Sequence, residues 1–463
     1  MHQSLVHRIV AAAGAVCLFC TSGASAIERS DDGAGQYLIV PFAIANSNNE
    51  SLVEISDSTE ESAARALKLR VLDRDGEPRL TANLYLARGA TWAGGLTRQD
   101  DAARLLTTSD SCLLVEGTDG IEATDEVGFE FSAGSLEVVE MGIVVDPPLA
   151  AHVNDRDCEA IVDLWNDDAW TPDAALAPPA GDIRAGARIV NVSKGTLYGV
   201  PVTALKNFSN IVQHSGPGDA QPDLASTHDE GTSSGQTRSV VCVDGECIED
   251  FWENPIDAAS AALMTYTARA SYDISESLNA RSEWTVTLPA ASAYPESHAL
   301  SSASVSMLIT ERSGRSWTGV SIPTPPALPF FNTTTLWLDY EAVVNLLDFT
   351  TTVSEVGSVQ DSRLFGLSHL VQSPGEDLDQ MSPSATERLP ENGQARFGFD
   401  CGDGAPVLVA SSGRRYWGCP AIVTTFAEYT NGVLPGEGGV PQRANYGSSG
   451  AVSTSVRIDA TED

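Results

Sequence analysis

Cys242 and Cys247 flank the four residues Val243-Asp244-Gly245-Glu246, and Asp244-Gly245 is a preferred two-residue hairpin turn. Closing that turn makes Val243 and Glu246 the hydrogen-bonded pair, with Cys242 and Cys247 as the non-hydrogen-bonded pair beyond it. Cα atoms there lie about 4.5 Å apart, within the range a disulfide accepts. The chemistry these residues suit is a covalent staple. Zinc would need further soft ligands close by, and a redox switch prefers Cys-x-x-Cys in an electropositive setting, whereas this turn is acidic. Sequence proximity pairs Cys401 with Cys419 and Cys112 with Cys158.

Other chemistry is less complete. Gly231-Thr232-Ser233-Ser234-Gly235 has the G-x-S-x-G spacing of a nucleophile elbow, but no apolar strand precedes it and no helix follows. It reads as a Ser/Gly linker. Glu137 and Glu140 stand in a strand-like LEVVEMG, where residues three apart point to opposite faces and cannot flank one bond together. The acidic stretches DRDGE (73–77), NDRD (154–157) and NDDAW (166–170) offer oxygens for calcium, yet none completes the twelve-residue loop. His152, His214, His228, His298 and His369 show no ligand spacing. No catalytic residue is assigned and no cofactor is expected, calcium being the one ion the loops suit. Trp92, Trp165, Trp284 and Trp337 follow core periodicity; Trp170, Trp252 and Trp417 sit in polar or turn-like stretches, where a core or rim place is favoured over a sugar-stacking or partner surface.

The elements that would carry these groups are mostly strands. Alternating or continuous apolar runs cover 36–45, 52–56, 66–73, 80–87, 136–145, 187–193, 196–205, 283–288, 304–310, 336–346, 395–399, 406–410, 422–427 and 452–458. Lys194-Gly195 reads as a hairpin turn. Residues 157–165 form one helix, with Cys158, Ile161, Val162 and Trp165 on one face and Asn154 or Asp155 as cap. A second helix starts at Asn254-Pro255 and runs through 261–264, and a short third covers 99–106. Residues 172–186 and 214–236 have linker composition. No internal repeat is visible.

The first 26 residues read as a cleaved secretory leader: Arg8, then apolar residues 9–20, then Ala24-Ser25-Ala26. Phe19 before Cys20 and Val16 before Cys17 argue against a lipoprotein cleavage site. No stretch reaches the ~20 apolar residues of a membrane helix. With 27 basic and 63 acidic residues the net charge is −36, which repels phosphate backbones and argues against nucleic-acid binding.

GQYLIVPF (35–42), LKLRVLD (67–73), ANLYLARGATW (82–92), DSC (110–112), LEVVEMG (136–142), CEAIVDLW (158–165), ARIVNVSKGTLYGVPVTALKNF (187–208), WTVTLP (284–289) and ANYG (444–447) run in order along the chain. Together they resemble an uncharacterised family of secreted or cell-surface proteins of Gram-negative bacteria. Family members often follow W-x-V-T-x-P with Thr-Lys, where this chain has Ala290-Ala291. The resemblance implies export and a β-rich fold, and it carries no catalytic residues.

The expected fold is mainly β, with two β-sandwich (immunoglobulin-like) domains and a few short helices, stapled by disulfides. The expected divisions are a leader over 1–26, a first domain over 27–213, a flexible linker over 214–238 and a second domain over 239–463. The expected role is non-catalytic, in cell-surface structure, adhesion or assembly through strand edges or loops, after export to the periplasm, cell surface or exterior. The alternatives are an extracellular hydrolase acting on polysaccharide or peptide, with Glu140 as its candidate acid, and a glycan- or calcium-binding module.

Overall fold

Alternation in the sequence becomes strands with two unlike faces. Along Asn49–Asp57, Ser51, Val53 and Ile55 are buried while Leu52 and Glu54 are exposed. Continuous apolar runs behave differently: Tyr37–Ile44 is buried at every position, because its sheet is covered on both sides. The computed structural model describes residues 26–57, 63–107, 111–166, 172–228, 235–243, 245–294, 303–311, 316–318, 334–338, 344–349, 362–367, 391–402, 404–435, 441–450 and 452–460, and it is mainly β.

An eleven-stranded sheet dominates the first half. In spatial order its strands are Gly120–Ala123, Cys112–Gly117, Pro78–Leu86, Arg65–Asp73, Ala133–Val144, Tyr37–Ile44, Thr203–Lys206, Ile27–Arg29, Thr237–Val243 and Glu246–Trp252, with Leu176–Ala177 beside Ala133–Val144. A seven-stranded sheet built around Asn49–Asp57, Thr91–Gln99 and Ile183–Asn191 faces it, and Val53, Ile55, Trp92 and Ile189 share its core. The other face of the large sheet is covered by the helices Pro147–Asp155 and Cys158–Asn166, which pack Leu149, Val153 and Ile161 onto Tyr85, Leu114 and Met141.

In the second half, a six-stranded sheet holds Thr267–Asp273, Ala303–Glu311 and Asn392–Asp400, and a four-stranded sheet holds Ala280–Thr287, Val344–Asp348, Ile422–Pro435 and Pro441–Gly450. One apolar cluster extends from Ile27 to Phe426, through both halves. The hairpin Thr237–Val243/Glu246–Trp252 follows the 214–238 stretch, yet it pairs in parallel with Ile27–Arg29 and so extends the first sheet.

Three cysteine pairs lie at disulfide distance: Cys112–Cys158, Cys242–Cys247 and Cys401–Cys419, with Cα separations of 5.4, 3.9 and 5.2 Å. Cys242 faces Cys247, Val243 faces Glu246, and Gly245 has φ 87° as a tight hairpin turn requires. Asp244 lies outside the described residues.

Several expectations need correction. Residues 99–106 are no helix: Asp100, at φ 56°, turns Thr91–Gln99 into Ala102–Thr107, whose burial alternates along a ladder. Residues 196–205 form two strands, Thr196–Val200 and Thr203–Lys206, separated at Pro201 and entering different sheets. The 336–346 run contains two separate strands, Thr334–Leu338 and Val344–Asp348. Helix Cys158–Asn166 is capped by Asp157, which accepts from the Ala160 amide; Asn154 and Asp155 belong to the preceding helix. That helix was not expected, although Asp146-Pro147 is a start signal and the Asp146 carboxylate accepts from the Leu149 amide.

Candidate functional site

Two groups of polar side chains are deeply buried, and a third lines an open cleft. The first lies under the helices, on the large sheet. Lys68 and Arg70 project from one strand, Asn83 and Tyr85 from its neighbour, and Glu137 from the strand on the other side. Arg70 pairs with Glu137. The segment from Phe208 to His228 lies across this face: Asn83 donates to the Ser215 carbonyl at 2.8 Å, Lys68 donates to the Gly216 carbonyl, and the Gln213 amide donates to Met141 at 3.0 Å. His214 Nε2 lies 2.8 Å from the Tyr85 hydroxyl, and the Trp165 indole stacks on the imidazole at 5.0 Å. Burial pushes the Lys68 amine down to about 7. Burial, then the nearby Lys68, pushes His214 down to about 3. Lys68 is 0 % exposed, so its amine faces the strap and not solvent.

Glu140 leaves the opposite face from Glu137, since the ladder to Arg65–Asp73 runs unbroken between them. It is held by Arg65 at 2.9 Å and by the Gly181 amide at 2.7 Å, and Arg65 also binds Asp57 at 2.9 Å. Burial raises the carboxyl of both glutamates, against the pull of Arg70 on Glu137 and of Arg65 on Glu140. Each has its own cation, and the two do not form a carboxylate pair across a substrate.

The second group joins the two halves. Glu428 is 0 % exposed; Lys194 Nζ reaches its two oxygens at 3.0 and 2.9 Å, and the Tyr198 hydroxyl donates at 2.9 Å. Asn445 donates to the Lys194 carbonyl at 2.7 Å. Gly447 passes so close that a Cβ there would meet the Leu197 carbonyl oxygen at 2.7 Å. Three asparagines extend the junction. Asn191 donates to Asn49, Asn49 to Asn46, and both Asn46 and Asn49 donate to the Phe365 carbonyl. The rings of Phe42, Tyr198, Phe365 and Phe426 surround these contacts.

The third group lines a cleft of about 490 Å³ between the two sheets of the second half. Asp273, Asn392 and Gln394 come from the six-stranded sheet; Thr425, Tyr429 and Ser448 come from the four-stranded one. Asp273 Oδ1 accepts from the Ser275 amide and hydroxyl, and Oδ2 faces the Tyr429 hydroxyl at 3.4 Å. Burial, then Asp273, raises the Tyr429 hydroxyl above its ordinary value and keeps it a donor.

No protein-family model, curated protein or solved structure matches the chain.

The structure distributes the sequence candidates unevenly. Asp73 binds the amides of Asp75 and Glu77 and the Arg79 guanidinium, so the DRDGE stretch is a self-satisfied turn. In the NDRD stretch, Asn154 accepts from the Arg88 amide and Asp157 caps a helix. Among the described residues, no three His, Cys, Asp or Glu side chains are grouped as metal ligands. Gly235 is the one described residue of the G-x-S-x-G stretch, and Trp170, His298, His369, the leader through Ser25 and most of NDDAW lie outside the described residues. Trp252 is buried, donating to Ser239 at 2.8 Å, and is no surface residue. Trp417 lies under the Arg457 guanidinium at 4.6 Å. Sequence reasoning missed the cleft, whose lining comes from hydroxyl and amide residues scattered from 271 to 450, each ordinary on its own.

Proposed function

We propose that the chain is exported, loses its leader, and works at the cell surface or outside it as a non-catalytic scaffold for structure or adhesion. The observation that carries this reading is how the deeply buried charges are used. Arg65 with Glu140, Arg70 with Glu137, Lys194 with Glu428, and Arg414 with Asp250 each close an ion pair within the fold. Such pairs contribute positional specificity more than stability. With three cysteine pairs and a junction of several hydrogen bonds, they favour a body of fixed shape.

Loops and clefts suit attachment better than the ends of the large sheet. Asn166 bonds both the amide and the carbonyl of Ile121 at 3.2 Å, closing one edge strand. The Ser411 amide and the Arg414 guanidinium bond the Phe251 and Glu249 carbonyls of the other. Edges plugged in this way resist strand addition. The test is fractionation of cells carrying a tagged chain, combined with surface attachment of a deletion strain. Export with impaired attachment supports the proposal; a cytoplasmic chain, or unchanged attachment, contradicts it.

A further inference from the structure

The cleft between the sheets of the second half has the chemistry of a ligand site. Its volume, about 490 Å³, falls in the range of sites for small molecules. Among the described residues that line it there is no lysine or arginine, and Asp273 is the one acidic side chain. Asn392 adds an amide that both donates and accepts, Gln394, whose oxygen accepts from Arg269, adds an amide donor, and Tyr429 adds a hydroxyl held protonated. Asp273 Oδ1 is occupied by Ser275, whereas among the described residues Oδ2 accepts only the long 3.4 Å bond from the Tyr429 hydroxyl. That oxygen and the tyrosine hydroxyl present an acceptor and a donor side by side, the pattern that adjacent hydroxyls of a sugar ring complement. The Tyr272 ring is stacked on Phe349 and the Phe426 ring is packed against Phe42, Tyr198 and Phe365, so what the cleft offers a ligand is hydroxyl, amide and carboxylate groups.

We infer that this cleft binds a neutral saccharide. Among the described lining residues Asp273 stands without a lysine or arginine, and the Arg269 guanidinium is engaged by Gln394; this disfavours a phosphorylated or uronic ligand, and the net charge of −36 adds repulsion at long range. The inference deepens the attachment reading by naming the class of molecule held. Binding by the purified chain does not depend on where the cell places it.

The test is titration calorimetry of the purified full chain with cellobiose, maltose and chitobiose, and with a glucuronate disaccharide as the anionic counterpart. At least one neutral sugar is expected to bind saturably, at least tenfold more tightly than the glucuronate sugar. Asp273→Asn and Asn392→Ala are each expected to weaken that binding at least tenfold. Asn392→Ala removes a side chain at a strand end, so its unfolding temperature should match that of the parent protein. Absence of binding by all three neutral sugars overturns the inference, as does preference for glucuronate or binding indifferent to both substitutions. Loss of attachment in cells combined with failed sugar binding removes the ligand assignment alone and leaves the surface role standing.

Discussion

Three lysines stand among 63 acidic residues, and each has a fixed place. Lys206 binds Asp32 at 3.0 Å on the surface, Lys194 neutralises Glu428 at the junction, and Lys68 is sealed beneath the 208–228 strap. Lys68 and His214 make the fold sensitive to acid. Around them stand Arg70 and Asn83 on the sheet, Tyr85 and Trp165 against the imidazole, and Asp219 in the strap. Both groups titrate lower in the folded chain than their ordinary values of 10.5 and 6.5, so the unfolded chain takes up protons that the folded chain refuses. The Lys68 share of stability is complete above pH 10.5 and is lost as pH falls toward about 7; the His214 share is lost between 6.5 and about 3. Melting curves across that range should show a shallower acid limb in His214→Gln, and in Lys68→Met a smaller rise in stability between pH 7 and 10.5. Unchanged slopes in both would contradict this assignment. At the junction, Lys194→Met strands a buried carboxylate and should cost about 3 kcal/mol by denaturant unfolding, with Glu428→Gln in the same chain recovering part of the loss. A loss below about 0.5 kcal/mol would mean that the Tyr198 hydroxyl satisfies Glu428 without Lys194.

At the level of elements, the three staples differ in what they close. Loop entropy predicts that replacing Cys112 and Cys158 by serine costs about 4 kcal/mol, and replacing Cys242 and Cys247 about 2 kcal/mol. Chemical unfolding of the two double variants checks that order, and equal losses would remove the entropic explanation. The staples were legible because cysteine spacing and a two-residue turn fix a geometry locally. Strands such as Asn49–Asp57 were legible for a similar reason, since alternation is a local signal. Pro441–Gly450 was not: PQRANYGSSG has no apolar alternation, and its strand form comes from pairing with Ile422–Pro435. Thr267–Asp273 (TARASYD) is similar, with small residues facing inward. The ANYG piece gains a physical reason only in the fold, where Asn445 meets Lys194 and Gly447 clears Leu197.

At the level of the whole molecule, the strand-length apolar runs indicated the β class, while the way the halves meet depended on contacts far apart in sequence. Lys194 and Glu428 are 234 positions apart, and Asn46 and Phe365 are 319 apart. No window along the chain can show such pairs. Because one apolar cluster runs through both halves, calorimetry should record a single unfolding transition, and two well-separated peaks would show that the halves melt independently. The most direct test of the whole account is non-reducing peptide mapping by mass spectrometry on protein recovered from its own cells. The account predicts a chain without its leader, found outside the cytoplasm, with Cys112–Cys158, Cys242–Cys247 and Cys401–Cys419 linked. A chain that keeps its leader and carries six free thiols would contradict it.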